Sequence, residues 1–523
     1  MGNKRWIVIV ALFAATFAVG ALGDGSLLRS VWPALVAFAG IVLLKEAAAG
    51  LALGVAAAAL LVAHGNPASA LRTVMMDHLF PAMQGPWKIG SLVFTLLIGA
   101  FAGVIERSGG FEALLRRILS GRAGERGLLG GVFGVGLLCF FDGLASSLVS
   151  GRIARPMIDK AGISRERLAW VVDSTGSPVA CVAFISTWIS MQLSNIDAGL
   201  KEASFAAEPY AMFFRSVPAN AYCLLTLLLV ALSIAWNWQP RIMRKCRPHE
   251  PDESVTEPAG DASPLAALVP VLVLVLAIFA GFPMFSEGAP DLRTVEGWKQ
   301  SFGGNAGPYA LVFGSLVAWL AAFLMFPRGR KRDAAEASLR GAGSLLPALV
   351  VLVCAWTLGS LFSELGTTKH ISTLLSDHAA APWMPLLVFL VGSAMAFTTG
   401  SSWATMGLLM PLALPATLVA GAAAGMDPGA LRDLTAMVIG AVFGGATLGD
   451  HCSPFSDTTI VSALASGCRT IDHVVTQLPF AGIAAACSAL AYSLMAWGLP
   501  SAAATAAAAA ALAGFLAILR RRG

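Results

Sequence analysis

Charge is what this 523-residue chain lacks most: 12% of its residues are Asp, Glu, Lys or Arg, while 57% are hydrophobic. An ordinary soluble domain carries about 25% charged residues. A chain this apolar could not cover a water-facing surface, so membrane insertion is the first reading. The eight cysteines (139, 181, 223, 246, 354, 452, 468 and 487) lie mostly in apolar runs and form no CxxC pair. His451 and Cys452 are adjacent, too close to make a zinc site alone. The cysteines therefore give no disulfide framework and read as small buried apolar residues. HExxH, GxSxG and P-loop strings are missing as well, which argues against a membrane-embedded enzyme. No cofactor is expected, and no feature points to nucleic acid.

What is present is a succession of apolar stretches. A span needs about 20 mostly apolar residues. Candidates lie near 6–22, 31–44, 47–64, 89–106, 165–191, 211–238, 264–282, 308–326, 342–364, 431–461, 477–497 and 502–519. The first follows Lys4 and Arg5 but is longer than a signal-peptide core, so it reads as a span. Basic loops should face the cytoplasm. Those at Lys4–Arg5, Arg116–Arg126, Arg152–Arg167, Arg241–Arg247, Arg328–Arg332 and Arg520–Arg522 all fall inside if there are about 12 crossings. The acid-leaning loops Ile196–Glu208 and Glu287–Lys299 then fall outside. This reading puts both termini in the cytoplasm of a bacterial inner membrane.

The same counting turns two apolar stretches into re-entrant hairpins. Residues 127–151 join two basic loops on one side and carry Asp142–Gly143 at the tip; 383–415 returns on the other side, with Thr398–Ser402 near its tip. Non-helical backbone at membrane depth persists only where protein or a water-filled cavity covers it. The expected fold is thus an all-α polytopic membrane protein: about 12 transmembrane helices, two re-entrant hairpins, and two inverted-topology repeats with broken helices. The N-terminal spans occupy 1–88. The first repeat is 89–238, with hairpin 127–151 and broken helix 165–191. A polar linker at 239–263 and connecting spans at 264–341 follow. The second repeat is 342–500, with hairpin 383–415 and broken helix 431–461, and 501–523 is a C-terminal span with a basic tail. Paired interruptions at corresponding places in two halves are a sequence pointer to a transporter's binding site.

The interruptions are D-S-T-G-S-P (Asp173–Pro178) and G-D-H-C-S-P-F-S-D-T-T (Gly449–Thr459). Proline within a helix removes a hydrogen bond and clashes with the preceding turn, so Pro178 and Pro454 are expected to split their spans. Freed carbonyls, Ser and Thr hydroxyls and a carboxylate are hard oxygen ligands suited to a cation such as Na⁺. Half-helix N-termini would suit an anion instead. A carboxylate at membrane depth costs about 2.5–3.5 kcal/mol on insertion scales, which makes Asp142, Asp173, Asp450 and Asp457 functional candidates. Burial disfavours an ionised carboxylate and a bound cation favours it, so one such group can exchange a proton for a cation. The plain alternative for each is to cap a half-helix. Two carboxylates lie in the second break, so Asp450 and Asp457 are the first candidates to hold Na⁺. His451 is a possible proton relay, since its unperturbed pKa is near 6.5.

At these residues the chain resembles the NhaC-type sodium/proton antiporter family of the ion-transporter superfamily. The strings that carry the resemblance are Phe140–Lys160, Ser164–Val179, Phe397–Thr405, Gly449–Thr459 and Ile471–Pro479. The resemblance implies paired hairpins and broken helices meeting at one site, often in a homodimer with elevator-like motion. By position it implies Asp142, Asp173, Ser174, Thr175, Thr399, Ser401, Asp450, Ser453, Asp457 and Thr458 as ion- or substrate-binding residues. Where family members often carry a second acidic residue at the first hairpin tip, this chain has Gly143. The expected partners are the lipid bilayer and a small cation, with a small organic carboxylate or amine as the alternative cargo.

Overall fold

Without water in a bilayer core, backbone N–H and C=O groups must pair within their own segment, and apolar runs therefore fold as helices. The computed structural model describes residues 2–23, 26–120, 124–249, 262–302, 306–367, 370 and 381–522, and all regular structure among these is helical, with no strand. Among the described residues ten helices are long and apolar enough to cross a membrane, or twelve if each of two bent pairs counts as one span. The bent pairs are Ala47–Val62 with Pro67–Ala82, turned by 112°, and Pro209–Ala219 with Ala221–Trp236, turned by 50°. Residues 250–261 of the expected linker lie outside the described residues.

The spans are not distributed as the apolar runs predict. The 165–191 stretch is two helices, Arg165–Val182 and Ile189–Glu202, neither apolar and long enough to rank as a span. The 431–461 stretch is likewise a long helix, Pro428–Cys452, followed by a ten-residue one, Asp457–Ser466. Conversely, the second hairpin is larger than its expected 383–415 bounds: its arms are Met384–Thr399 and Ser402–Ala423. At 1.5 Å per residue the second arm is about 33 Å long, enough to cross the hydrocarbon core. The first hairpin has arms Glu125–Leu138 and Gly143–Lys160, joined through Cys139–Asp142.

An outer frame surrounds these elements. Leu265–Phe285 packs along Ala306–Met325, Pro86–Ser108 along Lys331–Ser344, and Ala47–Val62 along Leu346–Glu364. The inner elements exchange partners between the two halves. The second arm of the first hairpin packs on the Asp457–Ser466 helix, and the second arm of the second hairpin packs on Ile189–Glu202. The second arm of each hairpin thus lies against the post-break helix of the other half, which brings both breaks to the middle of the molecule.

Candidate functional site

The first break falls one to two turns later than the proline predicts. Pro178 lies within the Arg165–Val182 helix, and the chain leaves helical geometry only at Ala183–Trp188. Buried membrane helices tolerate an internal proline because neighbouring groups take up what it frees, and Pro178 is buried. What stops the helix is Ser186. Its hydroxyl donates to the Ala180 carbonyl at 2.7 Å and accepts the Trp188 and Ile189 amides, each at 3.2 Å. One side chain so serves the last turn of one half-helix and the first turn of the next, both of which carry orphan backbone groups. The second break is where its proline lies, with Ser453–Ser456, including Pro454, between the two helices.

Each hairpin tip meets the break of its own half. The Thr187 amide donates to the Phe141 carbonyl at 2.8 Å. Gly400, with φ +65°, turns the second tip so closely over Phe455 that a Cβ there would lie 2.8 Å from the Phe455 carbonyl carbon. At the first tip, Gly143 crosses the Asp173 helix at Gly176, where a Cβ would lie 3.2 Å from the Gly176 carbonyl oxygen. Gly143 is therefore a point of close contact between backbones in this chain.

Two carboxylates are sealed at the centre. Asp450, fully buried, accepts hydrogen bonds from Ser402 (3.2 Å), Ser456 and Thr458 (3.0 Å), so the second hairpin and both sides of the second break converge on it. Asp173, also fully buried, accepts from Ser462 at 3.1 Å, Gln477 at 2.8 Å and Thr459 at 3.5 Å, and His473 Nε2 lies 3.2 Å from it. The two centres touch through shared groups. Thr459 Oγ1 donates to the Asp450 carbonyl at 3.1 Å, and Gln477 Nε2 donates to the His451 carbonyl at 2.7 Å. His451 Nδ1 pairs with the Tyr222 hydroxyl at 3.0 Å, which places the proposed relay histidine beside the Asp173 centre. The buried atoms His451 Nε2, His473 Nδ1 and Gln477 Oε1 have no partner among the described residues.

The other two carboxylates lie at helix N-termini, Asp142 just before its helix and Asp457 in the first turn of its own. Asp142 accepts the Leu144 amide at 2.9 Å at the start of the second hairpin arm. Asp457 accepts the Thr458 amide at 2.9 Å and is exposed at the first residue of its helix. A carboxylate at a helix N-terminus also complements the helix dipole. Of the remaining expected residues, only Thr458 binds Asp450. Thr399 and Ser401 close the second tip locally, Ser401 capping Ala404 at 3.2 Å. Ser453 accepts the Phe455 amide at 3.3 Å inside the break. The Thr175 hydroxyl returns to the Val171 carbonyl, and Ser174 is buried beside it. Ser402, Ser456, Thr459, Ser462, His473 and Gln477 were not expected. His473 and Gln477 carried a signal: two polar side chains four apart on one face of a mostly apolar helix.

Hydroxyl oxygens, carbonyl oxygens and two sealed carboxylates form a hard-oxygen set, and no cluster of three or more His, Cys, Asp or Glu side chains that could hold a metal occurs among the described residues. The model of the Na⁺/H⁺ antiporter family matches residues 179–497, which include Asp450, His473 and Gln477. The chain belongs to that family. An uncharacterized protein of Haemophilus influenzae is 27% identical over 499 residues, covering 91% of this chain and 93% of its own length. An uncharacterized Na⁺/H⁺ antiporter of the same organism is 25% identical over 215 residues, 41% of this chain and 39% of that protein. Among solved structures, MtrF of Neisseria gonorrhoeae, described within a class of antimetabolite efflux pumps, aligns with a TM-score of 0.50 at 14% identity, over 83% of this chain and 85% of its own. The YdaH transporter of Alcanivorax borkumensis aligns at 0.51 with 16% identity, over 83% and 90%. At these identities the two structures speak for the fold, that of a membrane transporter.

Proposed function

We propose that this member of the Na⁺/H⁺ antiporter family is of the NhaC type and exchanges cytoplasmic Na⁺ for external H⁺ by competition at Asp450 and Asp173. The observation that carries the reading is the convergence of Ser402, Ser456 and Thr458 on the sealed carboxylate of Asp450. Three hydroxyls already aimed at one carboxylate can turn their lone pairs to a small hard cation with little rearrangement. The same carboxylate can hold a proton or sit beside a cation, and occupancy by one disfavours the other. Asp173, with His473 and Gln477, is the second acidic group in reach of the same elements. Asp457, exposed in the first turn of its helix, contributes its charge to cation loading rather than a sealed ligand.

The exchange of partners between hairpins and post-break helices supports reading 89–238 and 342–500 as two repeats of inverted topology. The basic loops support placement in a bacterial inner membrane with both termini cytoplasmic. Flux in proteoliposomes tests the function. Added Na⁺ should drive proton movement in the wild type, and Asp450→Asn should lower it by roughly tenfold or more, the loss expected when a charge-assisted contact goes. Asp457→Asn, which removes an exposed charge from the first turn of its helix, should lower it less. Currents that depend on organic acids or amines and ignore Na⁺ and Li⁺ would overturn the reading.

A further inference from the structure

The Gly143–Lys160 and Asp457–Ser466 helices lie side by side and run in the same direction. Gly151 lies against Ala465, where a Cβ would be 2.7 Å from the Ala465 side chain, and further along Gly467 lies against the Arg155 guanidinium. Together with the Gly110–Leu119 helix, their C-terminal portions border a cavity of about 640 Å³. Small-molecule sites span about 300–1,000 Å³.

Two kinds of wall face it. Phe111, Leu148, Ile153, Met157 and Leu464 form an apolar one, and Leu464 is 67% exposed there although it is a large hydrophobic residue. The polar wall carries Arg116, Arg152, Arg155, Glu106 and Glu112. Arg116 and Glu112 neutralise one another across 2.7 Å. The lining thus carries three arginines to two glutamates, and Arg152 is exposed with no ion-pair partner among the described residues. Arginine is the side chain suited to planar, bidentate recognition of carboxylate and phosphate.

We propose that this cavity is a binding site for an amphipathic anion, its acid group against Arg152 and Arg155 and its apolar body against Phe111, Ile153, Met157 and Leu464. Such a ligand touches the first hairpin and the second half's post-break helix at once, so its occupancy holds these two elements together. The same helix leads from the cavity to the cation centre: Asp457, Val461 and Leu464 follow one another at helical spacing, and all three are exposed or half-buried. A soluble organic acid and the headgroup of an anionic lipid share the required chemistry, since basic pockets between membrane helices also hold lipid headgroups.

The test uses the full chain in nanodiscs of phosphatidylcholine, without Na⁺, titrated calorimetrically with 2-naphthoate. Saturable binding of one naphthoate per chain is expected. It should weaken by about tenfold or more in Arg152→Gln, which removes a charge-assisted contact, and in Leu464→Trp, which fills the space. Both positions are exposed, so neither change should unfold the protein, and Arg340→Gln on another helix serves as the control. Adding phosphatidylglycerol separates the sources: loss of naphthoate binding identifies a lipid headgroup, and unchanged binding identifies a soluble acid. Absence of saturable binding in phosphatidylcholine with no effect of phosphatidylglycerol on Na⁺-driven flux overturns the proposal, as does naphthoate binding that both variants leave unchanged. Because the titration contains no Na⁺, its failure is distinct from failure of Na⁺/H⁺ exchange.

Discussion

His473 Nε2 lies 3.2 Å from the Asp173 carboxylate, and both side chains are fully removed from solvent. Removing one member of a buried hydrogen-bonded pair leaves the other's polar group unsatisfied, at about 1–3 kcal/mol and more where that group is charged. His473→Ala and Asp173→Ala should each destabilise strongly, while the double substitution should cost clearly less than their sum, with a coupling of about 0.5–3 kcal/mol. Unfolding in detergent of the wild type, both single variants and the double variant measures it. Additive effects would remove the pair from the account of stability.

Gly400 and Gly425 separate backbone conformation from close contact. Both have positive φ, +65° and +70°, but a Cβ on Gly400 would meet Phe455 at 2.8 Å while one on Gly425 would meet nothing within 4 Å. Gly425→Ala should therefore cost only the left-handed penalty, about 1–2 kcal/mol. Gly400→Ala adds overpacking of about 1–3 kcal/mol and lifts the second hairpin tip from the break. Its Na⁺-driven flux should fall while that of Gly425→Ala persists; equal flux in the two variants would mean that the tip contact is dispensable.

Ser186 and Pro178 test where the first span breaks. Pro178→Ala restores a helix donor inside a helix that is already continuous, so flux should survive and melting temperature should rise or hold. Ser186→Ala removes a hydroxyl that serves three backbone groups at the break and leaves buried groups unpaired, at about 1–3 kcal/mol each. Thermal unfolding and flux should both suffer. The reverse ranking would return the break to Pro178.

Cys246 reports on the polar linker outside the membrane. Burial, aided by Glu166 and Asp472, pushes its thiol up to about 11. Since the thiolate is the nucleophile, only about 0.1% is reactive at pH 8. Alkylation of Cys246 by iodoacetamide, followed by mass spectrometry, should be slow at pH 8 and rise steeply toward pH 11. Glu166→Gln together with Asp472→Asn should speed it at pH 8. Rapid labelling in the wild type would detach this segment from the ends of the Asp173 and His473 helices.

The amino-acid sequence by itself determined the all-helical membrane class of fold and the presence of broken helices, and it singled out four carboxylates as candidates. These follow from local properties: the length of apolar runs, glycine and proline punctuation, and the scarcity of charge at membrane depth. Tertiary structure alone decided which carboxylates are sealed and which stand at helix N-termini. Asp173 and Gln477 lie 304 residues apart in the chain, and no local pattern joins them. Pro178 marked a break that the fold moved to Ser186, because buried surroundings absorb a proline while a serine can serve both exposed helix ends at once. Ser402 rather than Ser401 reaches Asp450 for a similar reason. Within the tip one hydroxyl is used to cap its own helix, and only the packing of the hairpin over the second break chooses which one is left to bind.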